Sequence, residues 1–191
     1  MKPPQPKKIP KIHTAHGDER IDDYYWLRDD TRKNPEVISY LEAENKYLES
    51  WFESKNDCRK EIYNELVSFI PPHEVSMKVK YGDYYYFSEI SSDQQYKTYY
   101  REINGNKELV LDVNELAKDL DYFNVASITP SPNNHYIAYA EDLSGRREYN
   151  IKIKNLETGQ IIDESIQRSS GSVVWNKNND TIYYALKDPV T

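Results

Sequence analysis

A ten-residue string that recurs limits what this chain can fold into more than any other feature. SPNNHYIAYA at 131–140 aligns without gaps on NKNNDTIYYA at 176–185, pairing Asn133 with Asn178, Asn134 with Asn179, Ile137 with Ile182, Tyr139 with Tyr184 and Ala140 with Ala185. The shift from 131 to 176 is 45 residues. A weaker copy, KYGDYYYFSE at 80–89, lies about 50 residues earlier. In each copy turn-forming residues lead into a β-favouring run, and a repeat of about 40–50 residues is the length of a four-stranded propeller blade.

The strand signals around the repeat agree with it. After Pro72 the apolar pattern becomes strand-like at Tyr84–Phe87, Thr98–Tyr100, Leu109–Leu111, Tyr136–Tyr139, Ile151–Ile153 and Ile182–Tyr184, with Asn, Gly, Asp and Ser clusters between. Strand period alone fits a sandwich, a barrel or a propeller. The repeat favours the propeller, so residues 73–191 are expected to form about two of its blades.

Ahead of Pro72 the signals are helical. Asn34 is a suitable N-cap, Pro35 suits the first helical position, and Val37, Leu41, Leu48, Trp51 and Phe52 largely follow helical spacing, which predicts a helix over Pro35–Ser54. A second helix is expected from Asp57 to Ile70, stopped by Pro71-Pro72, with Cys58 on its apolar face as a small buried hydrophobe. Residues 1–33 read as an extended, Pro-punctuated arm. Its Tyr24-Tyr25-Trp26-Leu27 cluster needs cover, either as a local cap on the first helix or by docking on a separate domain.

Charge excludes one partner class. The net charge of −7 comes from 25 basic and 32 acidic side chains that are interspersed, so no polyanion-binding face, and hence no nucleic-acid partner, is expected. Cys58 is the sole cysteine, so no intrachain disulfide can form, and MKPPQPKKIPKI lacks the apolar run of a secretory signal or membrane span. A cytoplasmic chain without membrane contact is expected, and the sequon Asn179-Asp180-Thr181 is then a chance match.

Motifs that would carry chemistry are missing. No G-x-S-x-G elbow occurs, and Ser169-Ser170-Gly171-Ser172 reads as a loop between strands. There is no G-x-G-x-x-G or Walker loop for phosphates. His13 and His16, followed by Asp18 and Glu19, are close in sequence but badly placed for a metal, and His73-Glu74 lacks the second histidine of a zinc motif. Asp22-Asp23, Asp29-Asp30 and Glu141-Asp142 read as solvated surface. Arg146-Arg147-Glu148, in a turn, either bridges to a facing domain or stays wet. No residue is therefore assigned as catalytic, cofactor-binding or metal-binding, and no cofactor is expected.

The string HGDERIDDYYWLRDD at 16–30, matching H-G-D-x-R-x-D-x-Y-x-W-L-R-D-D, resembles the start of the oligopeptidase B (protease II) group of the prolyl oligopeptidase family. The resemblance continues through Ile70-Pro71, Val75-Ser76, ITPS from Ile128, AEDLSGRREY from Ala140, KNLETG from Lys154 and the closing KDPVT. It implies an α/β-hydrolase joined to a seven-bladed propeller, a serine endopeptidase that cleaves short peptides after Arg or Lys with Ser, Asp and His. It also implies that residues 1–72 pack on the hydrolase domain, that the propeller gates substrate access, and that the triad lies beyond position 191. The expectation is a mostly β amino-terminal portion with a helical lead-in, inactive alone. Its partners would be the missing hydrolase domain and remaining blades, with oligopeptide bound only in the complete enzyme. The alternative is a retained fragment acting as a propeller-type binding module.

Overall fold

The computed structural model describes residues 2–188; Pro189, Val190 and Thr191 of the closing KDPVT lie outside them. The chain divides into two compact units between Phe69 and Ile70.

In the first unit, Lys11–Ala15 (β1) and Asp18–Asp22 (β2) pair antiparallel, Lys11 opposite Asp22 and Ala15 opposite Asp18. The turn is His16-Gly17, with φ of +55° and +87°, the doubly left-handed geometry of a tight hairpin. Within the expected extended arm, residues 11–22 thus fold back as a hairpin. Its strands alternate charged residues with few apolar ones, so period-two patterning gives no cue to them. The aromatic cluster that follows turns through a short 3-10 segment, Tyr25–Leu27. The Trp26 indole N–H donates to the Lys7 carbonyl at 2.8 Å, and its ring meets that of Tyr40 edge-on at 6.1 Å. Tyr25 carries the His13 ring at 4.8 Å and the Lys11 ammonium at 3.3 Å. Half-buried Trp26 thus ties the arm to the first helix, and Trp26→Ala is expected to cost about 2 kcal/mol, roughly half the value for a fully enclosed ring. A thermal melt checks this; an unchanged midpoint would show that the ring carries no packing.

The helix α1 spans Pro35–Phe52 and is built at its start by two side chains. Asn34 Oδ1 accepts from the Glu36 amide at 3.0 Å. Asp29 gathers the Thr31, Lys33 and Asn34 amides and the Thr31 hydroxyl. These bonds, the Asn34 amide foremost, outweigh partial burial and lower its carboxyl to about 2. A 3-10 turn, Glu53–Lys55, leads into α2, Asn56–Ser68, two residues shorter at its end than expected. Cys58 is exposed rather than buried. Ile62, Leu66 and Phe69 are exposed with it, at 51%, 61% and 71%, so the face that would enclose the thiol is itself uncovered.

The second unit is two antiparallel sheets. The first contains β3 (His73–Val75), β4 (Val79–Tyr81), β5 (Tyr84–Ser91), β6 (Thr98–Ile103) and β7 (Asn106–Asp112), with β3 and β4 forming one interrupted strand along β5. After a single turn of helix, α3 (Val113–Leu116), the second sheet runs β8 (Asn124–Pro130), β9 (Tyr136–Asp142), β10 (Tyr149–Asn155), β11 (Ile161–Trp175) and β12 (Ile182–Leu186), ordered β12-β11-β10-β9-β8. Strand β11 does two jobs. Up to Ser169 it pairs with β10, and from Ser169 onward, with a register shift before Val173, it pairs with β12. It closes one four-stranded blade and opens the next. The hairpins β4–β5, β8–β9 and the end of β11 with β12 are the three copies of the repeat.

The repeat has a packing reason. Ile137, Ala138, Tyr139 and Ala140 of β9 are all buried, yet alternate residues of a strand face opposite sides. Ile137 and Tyr139 join Val110, Leu111, Val113 and Phe123 in one core cluster. Ala138 and Ala140 join Tyr149, Ile151 and Val173 in the other. A central strand between two blades needs apolar side chains on both faces, and the small alanines let the third hairpin come close.

Candidate functional site

The serine run is not the expected loop; it lies within β11, at the register shift. Ser169 is fully buried, donates its hydroxyl to the Tyr149 carbonyl at 3.1 Å and accepts from the Gly171 amide at 3.3 Å. Gly171 has φ +91°, and its carbonyl accepts from the Ser127 hydroxyl at 2.6 Å. A hydroxyl given to a backbone carbonyl, with no imidazole or carboxylate among its partners, straps the chain where it crosses between blades and has no activating base. The composition SSGS suggests a flexible loop; what it encodes is a close backbone approach.

His13 sits in β1 against Tyr25 and His16 at the hairpin turn. Among the described residues no group of three or more His, Cys, Asp and Glu side chains is arranged to hold a metal ion.

Two of the carboxylate pairs depart from a solvated surface. Asp29 organises the entry to α1, as described above. Asp142, at the end of β9, is fully buried. Its Oδ1 accepts from the Ser144 amide at 2.8 Å, the Ser144 hydroxyl at 2.9 Å and the Gly145 amide at 3.0 Å, and its Oδ2 from the Arg147 amide at 2.8 Å. Burial alone would raise this carboxyl, but the bonds from Ser144, Arg147 and Gly145 prevail and hold it below the ordinary value. Gly145 and Arg147 are both left-handed, at φ +72° and +57°, so the loop is wound around the carboxylate. It displays exposed Arg146, Arg147 and Glu148 side chains, and the Lys187 ammonium donates to the Arg147 carbonyl.

A polar knot that sequence reasoning missed lies between the blades. Arg101 of β6 is 8% exposed. Its Nε donates to Glu108 at 2.7 Å, its guanidinium donates to the Asn134 carbonyl and it lies 4.3 Å from the Tyr84 ring. Burial pushes the Tyr86 hydroxyl beside it up. The available cue was a lone arginine in TYYREI, on the strand face shared with Tyr99. An apolar cleft of about 330 Å³ opens near Met77, lined by Val79, Tyr81, Phe87, Ile128 and Pro130. The knot braces the blades against each other, and neither it nor the cleft sets a nucleophile, base and oxyanion donors at one point.

The description "Prolyl oligopeptidase, N-terminal beta-propeller domain" matches residues 3–191. The chain belongs to the prolyl oligopeptidase family. Among family members it is 36% identical to protease 2 of Moraxella lacunata over 98% of its own length and 28% of the relative's. It is 33% identical to dipeptidyl aminopeptidase BI of Pseudoxanthomonas mexicana, over 99% of this chain and 29% of that one. The solved structure of oligopeptidase B from Leishmania major superposes with a TM-score of 0.88 at 28% identity, over 98% of this chain and 29% of that one. The chain thus spans under a third of the length of these relatives, and the mostly β fold with its helical lead-in is that of the family's propeller region.

Proposed function

We propose that these residues form the non-catalytic amino-terminal part of an oligopeptidase B-like serine endopeptidase that cleaves short peptides after Arg or Lys in the cytoplasm. In this reading the blades gate access of oligopeptides, and residues 1–72 dock the hydrolase domain. The observation that carries it is the combination of sequence and fold: 36% identity to a protease 2 and a TM-score of 0.88 to an oligopeptidase B, each over 98% of the chain. The helices support the docking role, because Leu41, Leu48 and Trp51 of α1 and Ile62 and Leu66 of α2 are at least half exposed. Apolar exposure on that scale marks a contact surface.

The test is an assay of the purified 191-residue chain on short chromogenic peptides ending in Arg or Lys, alone and after coexpression with the rest of a protease 2, its remaining blades and hydrolase domain together. Alone it should show no turnover above buffer; together, turnover on both peptides and not on those lacking a basic residue. Serine-inhibitor-sensitive turnover by the chain itself, lost on changing one of its own serines, would sink the proposal.

A further inference from the structure

Each of the three repeated hairpins has one left-handed residue at its tip: Gly82 at φ +60°, Asn134 at φ +59° and Asn179 at φ +67°. Glycine and asparagine adopt this backbone readily, so turn geometry alone accounts for their presence. The side chains add something that turn geometry does not require. Oδ1 of Asn134 accepts from the Tyr86 hydroxyl, in the hairpin before it, at 2.8 Å. The Asn134 backbone carbonyl, which any residue would offer, also accepts from Arg101 of that same blade. At the equivalent position of the next copy, Oδ1 of Asn179 accepts from the Asn133 amide at 2.8 Å, again in the hairpin before it. Both asparagines reach in the same direction. Gly82 faces the side chain of Asn134, and a Cβ there would come within 2.5 Å of Nδ2. Away from the tips, the Trp175 indole N–H donates to the Thr129 carbonyl at 2.9 Å, so the second and third copies are also joined along their first strands.

We infer that the tip asparagine is the residue that sets the spacing and order of the blades: its side-chain carbonyl engages the preceding hairpin, and Gly82 begins the series by making room for Asn134 instead of reaching back itself. The partner surface of each hairpin is therefore a donor, the Tyr86 hydroxyl in the first copy and the Asn133 amide in the second, matched by a carbonyl oxygen in the next. This goes beyond the peptidase reading and is independent of it, since it stands on the repeat and its contacts.

Asn179→Gly in the 191-residue chain separates this role from turn geometry. Glycine keeps the left-handed backbone without strain and removes the side-chain carbonyl, together with a long 3.4 Å bond from Asn179 Nδ2 to the Lys177 carbonyl inside the same turn. The Asn133 amide should then exchange about fivefold faster, the value of one net hydrogen bond, and the melting temperature should fall. Unchanged protection at Asn133 with an equal or higher melting temperature, as expected of a residue chosen for its backbone alone, would overturn the inference. A double-mutant cycle tests the first joint. Tyr86→Phe and Asn134→Gly together should cost less than their separate costs added, because either one breaks the shared bond. Strict additivity would overturn that joint.

Discussion

Gly171→Ala is expected to destabilise the second unit by about 2–6 kcal/mol, from backbone strain and overpacking together. Gly171 lies where β11 leaves one blade and enters the next, at φ +91°, a conformation that L side chains rarely adopt. A Cβ there would stand 2.8 Å from Cδ2 of Tyr149 and 3.0 Å from the Cβ of Ala126. The Tyr149 ring has little room to give, and the Ala126 Cβ is carried on the backbone of β8. Tyr149 is 8% exposed and belongs to the core cluster of Ala138, Ala140, Ile151 and Val173. The backbone is equally fixed, with the Gly171 amide on Ser169 and its carbonyl on Ser127. Gly159 provides the control: it is also left-handed, at φ +74°, but nothing lies within 4 Å of the position its Cβ would take. Gly159→Ala should cost only the strain, about 1–2 kcal/mol. Urea unfolding of both variants decides the matter, and a Gly171→Ala cost no larger than that of Gly159→Ala would show that the crossing is not tightly packed.

What was legible in the sequence follows from which forces are local. The start of α1 is written in Asn34-Pro35, because an N-cap and a proline at the first position act within one turn. Strands β5, β9 and β12 are announced by aromatic and β-branched runs, and the repeat at 131 and 176 reflects the need of a central strand to be apolar on both faces. Strands β1 and β2 were hidden because their residues are mostly polar and only the His16-Gly17 turn defines them. The exposure of Cys58 was hidden for a different reason: helical period shows which residues share a face, not whether anything covers it. The Arg101 knot and Asp142 were missed because their partners are either distant in sequence, as Asn134 is from Arg101, or are backbone amides that no residue type records. The Glu141-Asp142 pair looked solvated because adjacent acids usually are; on a strand the two point to opposite sides, and only one needs to face water.

Asp142 sets up the second large effect. Asp142→Asn conserves shape but cannot conserve the bonding, since all four donors, three on Oδ1 and one on Oδ2, point at oxygens that only accept. An amide NH₂ must face either the Ser144 and Gly145 amides or the Arg147 amide, donor against donor. The loss of charge-assisted bonds and the stranding of a buried donor should together cost about 2–4 kcal/mol at neutral pH. The pH dependence has a definite sign. The folded carboxyl lies below the ordinary value of 3.8, so its contribution is complete above that pH and disappears as pH falls through the folded value. Asp29, lowered to about 2, titrates in the same acid range, so the wild-type curve alone does not isolate Asp142. The difference between wild type and Asp142→Asn does, because Asp29 is common to both. That difference should be largest near neutrality and shrink below about pH 4, with faster exchange of the Gly145 and Arg147 amides in the variant as the loop loosens. Equal melting temperatures at pH 7, or a gap that stays constant down to about pH 2, would show that the carboxylate does not hold the loop that presents Arg146 and Arg147.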